Sequence, residues 1–182
     1  MPLKTSAQMH VHGSDGIHAK FDNATRKLAL YWGEVKLYQF VDSAIAHCLD
    51  SIKPFFDDGG SESARARDLQ LIRDHVDFVD EELEDAFLSF LNPDHKTFNK
   101  LEYRGACLIG FDSKSYPSTP HITMEAEVAE KVRKAFSNWQ SKLGSGIKSR
   151  TPLDKFVLEV FFIPFPSVQS FRDFFLEEIG NV

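Results

Sequence analysis

Three residues in the first fifth of the chain have side chains and spacing suited to hydrolysis: Asp15, Glu34 and Lys36. Glu34 and Lys36 lie two apart in an apolar and aromatic run that includes Leu30, Tyr31, Trp32, Val35 and Leu37. A strand has a side-chain period of two, so both point to one face, shared with Trp32 and Tyr38. A carboxylate and an ammonium in such a strand are costly unless paired or used. The polar stretch Asp22-Asn23-Ala24-Thr25-Arg26-Lys27 reads as a turn, which makes residues 15–21 and 28–38 a hairpin. With the turn centred between Ala24 and Thr25, Asp15 faces Glu34 and Gly16 faces Gly33. A one-residue slip would undo this, so the expectation depends on register. In that register the two carboxylates lie about 5 Å apart at the backbone. Two ionised carboxylates so close repel, and a divalent cation relieves the repulsion. Hard oxygen donors suit Mg²⁺ or Mn²⁺ rather than zinc. Lys36 would orient or help activate a water and stabilise charge on a phosphoryl oxygen. The set describes metal-assisted phosphodiester hydrolysis.

The remaining elements must hold these residues in place. Phe40, Val41, Ala44, Ile45, Cys48, Leu49 and Ile52 recur at helical spacing, and Pro54 should stop that helix. After the loop Asp57-Asp58-Gly59-Gly60, Ser61 or Ser63 can cap a second helix striped by Leu69, Ile72, Val76 and Val79. Asp80 can cap a third, with Leu83, Phe87 and Phe90, ended by Asn92-Pro93. Residues 101–111, apolar on both faces, read as a central strand. Val128, Val132, Ala135, Phe136, Trp139 and Leu143 mark another helix, closed by Gly144. A buried strand over 156–163 ends at Pro164, and Ser167 can cap a last helix with Phe171, Phe174, Phe175 and Ile179. The order predicts an α/β fold, a mixed sheet flanked by helices with right-handed crossovers between its later strands.

The pattern Asp15…Glu34-Val35-Lys36 resembles the signature of the PD-(D/E)XK nuclease superfamily. The resemblance implies a restriction-endonuclease-like core with the Glu-x-Lys on a hairpin strand, followed by a helix and a parallel strand. The hairpin, the helix at 39–53 and the strand at 101–111 match the latter part of that core. The whole of residues 1–182 then forms a single nuclease-like domain, with its core at 10–53 and 99–182 and an acidic helical insertion at 54–98. A narrower resemblance lies in Ser14-Asp15-Gly16-Ile17-His18-Ala19, Gly33-Glu34-Val35-Lys36-Leu37-Tyr38, Arg104-Gly105-Ala106-Cys107-Leu108-Ile109-Gly110 and Phe161-Phe162-Ile163-Pro164-Phe165-Pro166-Ser167. These segments, within roughly residues 10–180, are similar to the HamA family, nuclease subunits of the bacterial Hachiman anti-phage system. The family resemblance implies a DNA endonuclease, with Asp15 and Glu34 binding metal and Lys36 assisting the water. Its partner would be a superfamily-2 helicase subunit, HamB, that senses aberrant DNA and restrains or releases the nuclease. Family members carry a long segment before the Asp-Gly-Ile-His stretch, whereas 14 residues precede Asp15 here. The resemblance leaves the superfamily's first helix and first strand without an obvious place here, with residues 7–12 as the candidate remnant of that strand. The alternative is an inactive or truncated nuclease-fold module that binds a helicase or DNA.

Other residues admit two roles. His18 supports the site or lies on the surface. Gln39 contacts the site or starts the helix. Arg104 and Lys114, flanking the strand at 101–111, reach phosphates or are solvated. Asp22 is an alternative acid better suited to the turn, and Asp112 suits a loop. His10, His12, His18, His47 and Cys48 fit no structural-zinc spacing. Glu34 and Lys36 could form a structural ion pair, or an acid–base pair of a small-molecule hydrolase with a closed apolar pocket.

The 182 residues carry 21 Lys+Arg and 27 Asp+Glu, a net charge of −6. Alone, that argues against nucleic acid. However, residues 57–94 hold 12 acidic and 3 basic residues, leaving the rest of the chain at +3. The acidity is local, so DNA binding by the remainder stands, and the insertion is expected to face away from DNA or shield the site. Two dispersed cysteines argue against a disulfide framework. No secretory signal or apolar run of membrane-spanning length occurs, so a soluble, cytoplasmic protein with no membrane partner is expected.

Overall fold

The computed structural model describes residues 15–57, 63–75, 81–117 and 124–180. Strands β1 (Gly16–Asp22) and β2 (Lys27–Tyr38) form an antiparallel hairpin. Its register is the one expected from the turn, with Gly16 opposite Gly33 and Asp22 opposite Lys27. The turn is held by Asp22, whose Oδ1 accepts the N–H groups of Ala24 at 2.8 Å and Thr25 at 3.3 Å. Asp22 is therefore a turn residue. A hydrogen bond from the Thr25 side chain, followed by those from the Ala24 and Thr25 N–H groups, holds its carboxyl below the usual value.

Helix α1 (Val41–Ile52) follows, then α2 (Ala64–His75), α3 (Glu81–Leu91), β3 (Leu101–Asp112), α4 (Met124–Lys148), β4 (Val157–Phe165) and α5 (Val168–Gly180). The strands lie in the order β1-β2-β3-β4, with β3 parallel to β2 and β4 parallel to β3. A mixed four-stranded sheet flanked by helices is thus the architecture. Ser63 Oγ accepts the N–H of Ala66 and Ser167 Oγ that of Ser170, both at 3.1 Å, as N-terminal caps. Val76, Val79 and Asp80 lie outside the described residues.

Helices α1 to α4 all pack on one face of the sheet, the face of Leu30, Trp32, Ile109 and Phe111. α1 buries Ala44, Ile45, Cys48, Leu49 and Ile52 there. α2 reaches it through Asp68, which accepts the Trp32 indole N–H at 3.0 Å. α3 meets it through Phe90, edge-on to Phe21 at 5.9 Å between ring centres. α4 brings Trp139 against Phe111 at 4.8 Å. The acidic 54–98 segment therefore contributes to the core, since Phe55, Phe56, Leu69 and Leu91 are buried in it.

Two expected boundaries differ. α4 runs through Gly144 to Lys148, so Gly144 does not cap it. The close approach belongs to Gly146, where an added Cβ would lie 2.9 Å from Leu49 Cδ1, so glycine there lets α4 pack onto α1. β4 continues through Pro164 to Phe165. As an edge strand it can dispense with one outward N–H. Lys142–Asp42 at 2.7 Å and Arg150–Asp50 at 2.6 Å tie α4 to α1.

Candidate active site

The hairpin brings Asp15, Glu34 and Lys36 to one corner of the sheet. Asp15 stands just before β1, where its backbone N–H donates to Gly33 O at 3.0 Å. Its side-chain Oδ2 accepts the N–H of Val35 at 2.7 Å. One residue thus grips β2 on both sides of Glu34. Gly33 permits this close pairing, because an added Cβ would lie 3.1 Å from Gly16 O.

Glu34 is only 4% exposed. A lone carboxylate so placed would be costly. Lys36, two residues on and on the same face, donates from Nζ to Glu34 Oε1. Partial burial lowers the Lys36 pKa, but the hydrogen bond to Glu34 and the charges of Glu34 and Asp15 outweigh it, so its pKa lies above the usual lysine value. Lys36 is accordingly an ammonium at neutral pH.

The floor of the site comes from α1 and β3. Glu34 is paired across the sheet with Cys107. Cys48 and Cys107 are both buried, and the hydrogen bond between them, with burial, raises the Cys48 pKa far above the usual thiol value. Tyr38 continues the Glu34–Lys36 row and stacks on His47 of α1, with ring centres 4.6 Å apart and planes 11° from parallel. The sequence reading missed His47 and the cysteine pair as neighbours of the site. No local spacing signals His47, because its stacking on Tyr38 depends on how α1 crosses β2.

The other candidates fall elsewhere. His18 is paired with Tyr31, on the opposite sheet face from Glu34. It still lines the shallow cleft of about 190 Å³ that also includes Asp15, Gly33, Glu34 and Val35. The Gln39 carbonyl accepts the N–H of Asp112 at 3.1 Å, just ahead of α1. Arg104 also sits on the opposite face. It donates to Glu102 at 2.6 Å and to Tyr31 Oη at 3.1 Å, so it does not join the Glu34 group. Lys114 lies beyond the end of β3, in a separate cleft with Val41 and Lys131. Asp112 Oδ1 accepts the N–H of Val168 at 2.6 Å, capping α5. His10 and His12 lie outside the described residues.

The donor chemistry of the corner fits a hard divalent cation. Asp15 and Glu34 present oxygen, while the neighbouring Cys48 thiol is held protonated and is a poor ligand. Among the described residues no group of three or more His, Cys, Asp or Glu side chains is gathered as a ligand set. Also among the described residues, no helix is long and apolar enough to cross a membrane.

Comparison with curated proteins and with solved structures returns no match. A family model does match, that of HamA, over residues 1–179 of the 182. The chain belongs to the HamA family, a component of Hachiman anti-phage defence.

Proposed function

We propose that the chain is a metal-dependent DNA endonuclease of the PD-(D/E)XK type, acting as the effector of the defence system under the control of a partner helicase. The observation that carries this is the Asp15, Glu34 and Lys36 group. The hairpin pairs Gly16 with Gly33, the Asp15 carboxylate accepts the N–H of Val35 next to Glu34, and Lys36 is bonded to Glu34 on the same strand face. Asp15 and Glu34 would hold Mg²⁺ or Mn²⁺. When bound, the cation would supply Lewis-acid polarisation of the phosphodiester and activation of water.

The chain's own residues do the rest. The backbone N–H of Val35 fixes Asp15, so this carboxylate is positioned before any ligand arrives. Glu34 holds the Lys36 ammonium at the site, where it can orient the attacking water and stabilise charge on the phosphoryl oxygens. Because Lys36 stays protonated at neutral pH, its role is electrostatic rather than that of a general base.

The test is cleavage of supercoiled plasmid by the purified chain, alone and with the partner helicase. EDTA should abolish cleavage and added Mg²⁺ or Mn²⁺ should restore it. Cleavage that survives EDTA would reject the metal. If no cation binds in a calorimetric titration and no cleavage appears with the helicase present, the chain is a non-catalytic module that binds DNA or the helicase.

A further inference from the structure

Among the described residues, β2 beyond Gly33 is paired with another strand on one edge only. β3 accompanies it as far as Tyr38, whereas β1 begins at Gly16, opposite Gly33. Alternate residues of a strand turn their N–H and C=O groups to the same edge, so Val35 and Leu37 share the edge away from β3. Two side chains bond to the backbone there. The Asp15 carboxylate accepts the Val35 N–H at 2.7 Å, and Arg172 of α5 donates through Nη2 to the Leu37 carbonyl at 2.5 Å. A carboxylate and a guanidinium thus stand two residues apart on one strand edge, about 7 Å at the rise of a strand. Lys36, bonded to Glu34, lies between them in the chain.

The bond to Leu37 does not by itself require an arginine. One N–H satisfies that carbonyl, and a neutral donor would serve. α5 is also held at its start by other means: Asp112 Oδ1 accepts the Val168 N–H, Ser167 Oγ accepts the Ser170 N–H, and Phe171 packs on Phe165 at 4.9 Å. A guanidinium carries five N–H donors in a planar fork. Arg104, Arg133 and Arg150 direct theirs to the carboxylates of Glu102, Glu130 and Asp50. Arg172 is exposed, and among the described residues it has a backbone carbonyl and no carboxylate as its partner. Its neighbours one turn away on α5, namely Val168, Gln169, Phe175 and Leu176, are uncharged.

We propose that Arg172 is a substrate-binding residue of the candidate active site, whose remaining N–H donors take a backbone phosphate of the DNA strand close to the one held at Asp15, Glu34 and Lys36. The choice of ligand rests on the nuclease reading. Phosphates of one strand follow each other at about 3.4 Å along the duplex axis, so an offset of about 7 Å places this contact within about two nucleotides of the scissile bond. The fork matches two phosphate oxygens at once. The Leu37 carbonyl orients it before the substrate arrives. Such a contact fixes the register of the strand across the site and reads no base.

The test is fluorescence anisotropy of a labelled DNA duplex with the full chain, with Ca²⁺ in place of Mg²⁺, over about 50–200 mM salt. Each variant is compared below its own melting transition. Arg172→Gln keeps a donor for Leu37 and removes the charge. It should bind more weakly than wild type, with the slope of log affinity against log salt shallower by about 1. Arg172→Lys keeps the charge and should retain the wild-type slope. A purely structural arginine would leave the slope of Arg172→Gln unmoved, and that result overturns the proposal, as does a wild-type chain that binds no duplex. Plasmid cleavage with Mg²⁺ and the partner helicase separates the two readings. If wild type cleaves and the slope is unmoved in Arg172→Gln, the nuclease reading stands and the Arg172 contact fails. If the slope falls and wild type never cleaves, the contact stands and the nuclease reading fails.

Discussion

The side chain of Asp15 accepts the backbone N–H of Val35 at 2.7 Å, one residue past the buried Glu34. Through this bond the first carboxylate of the site is positioned by the backbone of the strand that carries the second. Its orientation is therefore a consequence of hairpin register, not of packing around its own side chain, which is exposed.

Asp15→Asn separates position from charge. The amide keeps an oxygen to accept from Val35, so the hairpin and the melting temperature should be retained. Cleavage should fall by about a hundredfold or more, because the variant lacks the anionic donor. Parallel melting and cleavage assays check this. Full activity in Asp15→Asn would remove Asp15 from the chemistry.

Gly33→Ala tests the spacing of the hairpin. The new Cβ would meet Gly16 O at 3.1 Å, and a backbone atom can yield only by moving β1. Asp15 moves with β1. Cleavage should drop by about a hundredfold while the fold persists, because small displacements of catalytic groups are costly. Wild-type cleavage would show that the close Gly16–Gly33 pairing is not needed.

Asp68→Ala tests whether the acidic segment is integral. The variant leaves the buried Trp32 indole N–H without its acceptor. Denaturant unfolding should show a loss of about 1–3 kcal/mol. Removal of the whole segment should then unfold the chain, since Phe55, Phe56, Leu69 and Leu91 belong to the core. A stable deletion with raised basal cleavage would instead favour a shield.

Cys48 and Cys107 should be inert in the folded chain. Both are buried, and the bond between them with burial keeps Cys48 protonated. Ellman's reagent should titrate no thiol natively and both in denaturant. Prompt native labelling of either would contradict the packing beneath Glu34.

The Asp50–Arg150 pair sets an acid-side stability dependence. The hydrogen bond from Arg150 holds the Asp50 carboxyl below its usual value. A depressed carboxylate contributes stability above its unfolded pKa, near 3.9, and loses it as pH falls through the folded value. Asp50→Asn should cost about 0.5–1 kcal/mol near neutral pH, modest because the pair is solvent-screened. That difference should shrink below about pH 4. A constant difference down to acid pH would contradict the sign.

The hairpin that carries the candidate residues was legible in the sequence because it rests on local rules. A polar turn and a side-chain period of two suffice to place Gly16 opposite Gly33 and Lys36 beside Glu34. Ser63 and Ser167 were legible as caps for the same reason. What escaped depends on packing between distant segments. Gly144 has the composition of a helix stop, but α4 continues to Lys148, and the glycine in close contact with another element is Gly146, against Leu49. Arg104 has the charge for a phosphate contact, but its alternation places it on the far face with Glu102 and Tyr31. The stacking of His47 on Tyr38 needs the crossing of α1 over β2, which no local spacing states.

The most direct test of the central claim is plasmid cleavage with Mg²⁺ by the wild-type chain, Glu34→Ala, Lys36→Ala and Arg104→Ala, each with the partner helicase present. Glu34→Ala and Lys36→Ala should lose cleavage, while Arg104→Ala, altered on the opposite face, should retain it within a few-fold. Wild-type cleavage in both Glu34→Ala and Lys36→Ala would contradict the account.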